Sequence, residues 1–215
     1  MLKVSTSGLL RGSVIFVTFL FLSACQTNKK ADTPTAKAWS NEIELFDDTR
    51  AHFDSFLSWK LTAKVGLKVD GKNESASMVW QKRGGRDLVR LFGPLGAKAV
   101  KLELTETGAL LTDDKGVEYR GATANSLLEE VTGWPIPVDY MQSWVLGLPR
   151  LHSAANFTLN ENRLKELHQG GWHIIYSYRS NDNTSGAKLP RRLVAYSKLK
   201  GRDVELKIVV KSWQQ

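Results

Sequence analysis

The chain has 215 residues, 42% of them hydrophobic and 24% charged, with 30 Lys and Arg against 22 Asp and Glu for a formal charge of +8. That length fits a single domain with a core of its own. One cysteine excludes an internal disulfide, and Lys and Arg are scattered without the blocks of like charge that mark a nucleic-acid-binding tail.

At the start, Lys3 and Arg11 precede an apolar run from Val14 to Leu22 interrupted only by Thr18, which is the order of a secretory signal peptide. The run is too short to cross about 30 Å of hydrocarbon as a helix, so it reads as a signal core and not as an anchor. Leu22-Ser23-Ala24-Cys25 closes it and resembles the lipobox of bacterial lipoproteins. The resemblance implies that residues 1–24 are removed and that Cys25 becomes a lipidated N-terminus. Its covalent acyl and diacylglycerol lipid is the sole prosthetic group expected. Acyl chains, at about 0.8 kcal/mol per buried CH₂, hold a protein on a membrane without a transmembrane helix. Gln26 stands where an Asp commonly signals retention in the inner membrane, which points to the outer membrane. Loss of Lys3 and Arg11 leaves a charge of about +6. On an exported chain, that charge suits anionic headgroups or an acidic protein partner, not nucleic acid. Residues 25–38 lack apolar periodicity and read as a flexible tether. Residues 39–215 form the body.

Within the body, Ile43, Phe46, Phe53 and Leu57 recur at helical spacing and predict an amphipathic helix over 40–57. The period then falls to two. Leu61, Ala63, Val65, Leu67 and Val69 alternate with polar residues, Asp70-Gly71 supplies a hairpin turn, and Ala76, Met78 and Trp80 return on one face. Gly84-Gly85 marks the next reversal. Further strands are predicted at 88–92, 100–104, 109–112 and 117–120. Thr123 is the expected N-cap of a short helix carrying Leu127, Leu128 and Val131, closed by Gly133. Another follows Pro137, with Val138, Met141, Trp144 and Val145 on one stripe. Strand patterning returns around Phe157, Leu164, Trp172 to Tyr178, Leu193 and Val204 to Val210. The expectation is a mainly β protein: an incomplete, half-open antiparallel barrel of about 10–11 strands with a lid of about three helices. A twisted sheet of that size curls, and its helices must bury their stripes on the concave side.

No catalytic constellation is visible. The sequence has no G-x-S-x-G, P-loop or G-x-G-x-x-G, and its acidic pairs are adjacent and so diverge in direction. The four histidines show no HxxxH, HxH or CxxC spacing, so no metal is expected. What stands out is Phe92-Gly93-Pro94-Leu95-Gly96, a turn with an apolar residue at its tip where loops are normally polar. Leu95 either folds back onto the core or projects toward a protein or membrane.

Gly93-Pro94-Leu95-Gly96, Thr132-Gly133-Trp134-Pro135-Ile136-Pro137 and Trp144-Val145-Leu146-Gly147-Leu148-Pro149, behind a lipobox, resemble the LolB family of outer-membrane lipoprotein receptors. The resemblance covers the mature chain, with Trp80, Trp172 and Trp213 in step. Gly93 departs from an Asn, and Arg150 from a Gly, in the best-known member. It implies a half-barrel, related in fold to the periplasmic carrier LolA, that accepts lipidated proteins from such a carrier and delivers them to outer-membrane phospholipid. The expected state is a monomer. Leu95, flanked by Pro94 and Gly96, takes the place of the family's membrane-inserting leucine. Candidate walls for the cargo's acyl chains are Met78, Trp80, Leu102, Leu104, Trp144, Ile174 and Ile208, with Leu127, Leu128, Val131, Met141 and Val145 as lid residues. The alternative is a structural envelope lipoprotein that binds a protein partner and carries no lipid; a solid core would favour it.

Overall fold

The computed structural model describes Phe46, Ala51 and residues 58–94, 99–105, 107–179 and 189–214. Six strands come first: β1 (Ser58–Val69), β2 (Lys72–Arg83), β3 (Arg86–Phe92), β4 (Val100–Thr105), β5 (Gly108–Thr112) and β6 (Glu118–Gly121). Two helices follow, α1 (Ala124–Thr132) and α2 (Val138–Trp144). The chain then returns through β7 (Ala155–Asn160), β8 (Arg163–Gln169), β9 (Trp172–Ser177), β10 (Arg192–Leu199) and β11 (Arg202–Gln214).

All eleven strands belong to one antiparallel sheet in the order β6-β5-β4-β3-β2-β1-β11-β10-β9-β8-β7. Every neighbour is a sequential hairpin except one pair. The first and last strands meet in the middle, with Val65 opposite Ile208, and so join a β1–β6 arm to a β7–β11 arm. The sheet is open, with β6 and β7 as its edges.

Turn chemistry sets the registers. Asp70 and Gly71 take φ of 46° and 81°, both left-handed, and pair Val69 with Lys72. This is the two-residue turn whose twist matches that of the flanking strands. The same sign of φ recurs at Gly84-Gly85, Glu161-Asn162, Gly170-Gly171 and Lys200-Gly201. Alternation then sends Leu61, Ala63, Val65 and Leu67 of β1, Met78 and Trp80 of β2, and Leu206 and Ile208 of β11 into one buried cluster. Leu164 and Leu167 are three apart yet both fully buried, because a register shift between β7 and β8 at Thr158/Leu159 breaks the period.

Two helices, not three, are complete among the described residues. Of the helix expected over 40–57, Phe46 and Ala51 are described and helical. The Phe46 side chain is buried, its ring edge-on to that of Phe157 at 5.3 Å. Leu127 and Leu128 of α1, and Val138, Met141 and Trp144 of α2, bury into the same cluster as the strands. Their stripes leave no other place to exclude water. No described helix is long and apolar enough to cross a membrane.

Candidate functional site

Two buried polar side chains fix α2 to both arms. Asp87 of β3 accepts from Trp80 Nε1 at 2.7 Å and from Gln142 Nε2 at 3.2 Å. Burial pushes its carboxyl above the ordinary 3.8, outweighing the Trp80 hydrogen bond, the nearby Lys82 charge and the Gln142 hydrogen bond. On the other arm, Gln169 ends β8 with its amide fully used. Its Oε1 accepts from Trp144 Nε1 at 3.0 Å and from the Arg150 amide at 2.9 Å, and its Nε2 donates to the carbonyls of Arg150 and Ser153. Trp144 also packs edge-on to Trp172 at 6.3 Å. Gly147, at φ 73°, closes the turn after α2 against Pro190, whose Cγ lies 3.1 Å from where a Cβ would stand. That contact explains a glycine in the Leu146-Gly147-Leu148-Pro149 turn.

The opposite end of the helical pair is held differently. Thr123 Oγ1 caps α1 by accepting from the Ser126 amide at 3.3 Å, and Gly133, at φ 74°, returns its N–H to the Glu129 carbonyl. Trp134 follows and donates from Nε1 to Glu74 of β2 at 2.8 Å. Glu129 faces the β10–β11 turn, where Lys200 and Arg202 approach at 3.0 and 3.3 Å. The Trp134 and Lys200 contacts are exposed and the Arg202 contact is half-buried.

Between this end of α1 and the sheet lies a cleft of about 1040 Å³. Ala76, Leu91 and Val100 form its floor, while Val131, Tyr119 and Trp134 wall it. Glu74, Asp113, Asp114, Lys115 and Glu130 stand at the rim. Asp113 is used locally, accepting from the amides of Lys115 and Val117 to shape the β5–β6 turn. Gly93, Pro94 and Ala99, which flank residues 95–98 in the chain, also line the cleft. Leu95 and Gly96 lie outside the described residues, as does Cys25. The volume is at the top of the range of about 300–1,000 Å³ common for ligand clefts.

The candidate wall residues Met78, Trp80, Leu102, Leu104, Ile174 and Ile208 share the inner face of the sheet, Trp144 packs from α2 into the same core, and all seven are buried. None lines the cleft among its described lining residues; they pack as core beside it. Alternation names the inward face, but the helices decide which part of that face stays uncovered. Of the helical candidates, Leu127, Leu128, Met141 and Val145 are buried in the core, and Val131 alone faces the cleft. Sequence reasoning passed over Asp87 and Gln169. The signal was present: Asp87 keeps phase with Val89 and Leu91, and Gln169 with Leu167, so each polar side chain sits at an inward position.

An open antiparallel sheet, with helices packed on its inner face and a partly apolar cleft under one helix end, defines the LolA-like class of fold. A LolA superfamily protein of Nitrosomonas europaea has this fold, with a TM-score of 0.51 over 81% of this chain and 92% of that one at 11% identity. The family model described as "Outer membrane lipoprotein LolB" matches residues 57–213. The outer-membrane lipoprotein LolB of Pseudomonas putida (strain W619) is 36% identical over 169 residues, covering 77% of this chain and 80% of its own. That of Pseudomonas aeruginosa (strain LESB58) is 36% identical over 158 residues, covering 73% and 74%. The chain belongs to the LolB family of outer-membrane lipoproteins.

Proposed function

We propose that this chain is an outer-membrane receptor that accepts lipidated proteins from a LolA-like periplasmic carrier and passes them to the phospholipid of the outer membrane. In this reading it is no enzyme, residues 1–24 are a signal, and residues 25–38 tether the body to a lipid on Cys25. The observation that carries the reading is the cleft beneath the end of α1, apolar at its floor and lined at one side by Gly93, Pro94 and Ala99, which flank Leu95 in the chain. A ligand-sized cleft also weighs against a purely structural lipoprotein.

Transfer without a nucleotide runs down a gradient of affinity. Each additional methylene the receptor buries contributes about 0.8 kcal/mol. A difference of 1.4 kcal/mol gives roughly tenfold preference over the carrier. The bilayer, a still better solvent for acyl chains, then takes the cargo.

The test is Leu95→Glu in a liposome assay with separate readouts for acceptance and insertion. The variant is expected to fold and to accept cargo but to lose most insertion, because a carboxylate resists entry into hydrocarbon. Insertion at the wild-type rate would contradict the role given to Leu95.

A further inference from the structure

The outer face of the β8–β9 hairpin, away from the cleft, carries a cluster that the proposed transfer does not use. Glu166 and His168 flank the inward Leu167, so strand alternation places both on the outer face. The tight Gly170-Gly171 turn sets His173 directly opposite His168. Their imidazoles lie parallel at 4.1 Å between centroids, and His173 Nε2 is 3.3 Å from Glu166 Oε2. One ligand atom from each of the three residues lies within 4.8 Å of the others.

We propose that Glu166, His168 and His173 bind a divalent transition metal, Zn²⁺ or Cu²⁺, with water completing the coordination. Two imidazoles and a carboxylate are the donor set that borderline cations favour over Mg²⁺ or Ca²⁺. Metal–ligand bonds near 2.0–2.2 Å require the donors to draw together. The parallel imidazoles must also turn so that their lone pairs converge. Both movements are small. His168 is exposed and Glu166 and His173 keep about a third of their side-chain surface in water, so rotation displaces no core side chain. The cluster borders a shallow hollow formed with Gly170, Gly171 and Tyr196, which gives an ion and its waters access. Lys165, with Nζ 4.0 Å from Glu166 Oε1, is the competing cation, and the exposed Ile175 of β9 and Tyr196 of β10 face the cluster. A contiguous motif search misses such a site because His168 and His173 become neighbours only across the hairpin.

The full-length chain without a histidine tag, in detergent micelles, is titrated with ZnCl₂ by calorimetry and with Cu²⁺ by electron paramagnetic resonance. One saturable site is expected, with nitrogen hyperfine coupling for Cu²⁺. Binding is lost in His168→Ala and His173→Ala, weakened in Glu166→Gln and retained in His152→Ala. Should His173→Ala fail to fold, His168→Asn, at an exposed position, carries the same test. Absence of saturable binding in the wild type, or unchanged binding in folded His168 variants, would overturn the assignment.

Discussion

The two ends of the helical pair are held to the sheet by opposite means. At α2 the bonds are buried: Asp87 and Gln169 hold Gln142, Trp144 and the Arg150 backbone with little water to compete. At the C-terminal end of α1 they are exposed or half-buried, with Glu129 facing Lys200 and Arg202 while Trp134 reaches Glu74. Breaking a buried polar pair leaves an unsatisfied group at about 1–3 kcal/mol, whereas an exposed ion pair contributes about 0–1 kcal/mol. The polar bonds therefore fix α2 firmly and hold the cleft end of α1 weakly, where burial of Leu127 and Leu128 supplies the rest of the anchoring. In the proposed receptor role, that asymmetry would let the wall yield to an acyl chain while the sheet beneath stays fixed.

The comparison breaks most severely at Gln169. Gln169→Leu strands the Trp144 indole N–H, the Arg150 amide and two carbonyls, and is expected to lower stability in urea unfolding by about 3 kcal/mol or more. Asp87 sharpens it through pH. Its folded carboxyl titrates above 3.8, so the native state binds the proton more tightly than the unfolded chain does. The stability contributed by that proton is full below 3.8 and is lost as pH climbs through the raised value. Asp87→Asn is expected to flatten this part of the stability–pH curve.

At the cleft, effects on binding should exceed those on folding. Val131→Trp fills the space beside Ala76 and Val100, and is expected to weaken acyl-chain binding by roughly tenfold, or about 1.4 kcal/mol. Its effect on chemical denaturation is expected to stay near 1 kcal/mol or below. The smallest change is at the exposed clasp. Glu129→Gln is expected to cost at most about 1 kcal/mol, a loss that shrinks further as salt is raised.

Much of the fold was legible because it is local. Asp70-Gly71, Gly84-Gly85 and the alternating residues between them specify hairpins over a few positions, and Thr123 and Gly133 bound α1 as their side-chain and backbone chemistry requires. The pairing of β1 with β11 has no local signature and follows only from the complete sheet. The cleft was harder still. Met78 and Ala76 have the same phase on β2 and both are buried, yet only Ala76 lines the cleft. The cluster of Glu166, His168 and His173 likewise exists only once a hairpin register joins two strands.

The most direct test uses a cargo lipopeptide with a photoreactive group along its acyl chain, crosslinked to the receptor and mapped by mass spectrometry. Adducts are expected on the cleft residues Ala76, Leu91, Val100, Val131 and Trp134, and are expected to fall in Val131→Trp. Adducts confined to the outer face of the sheet, around Ile175 and Tyr196, or none above background, would contradict the assignment of the cleft as the lipid site.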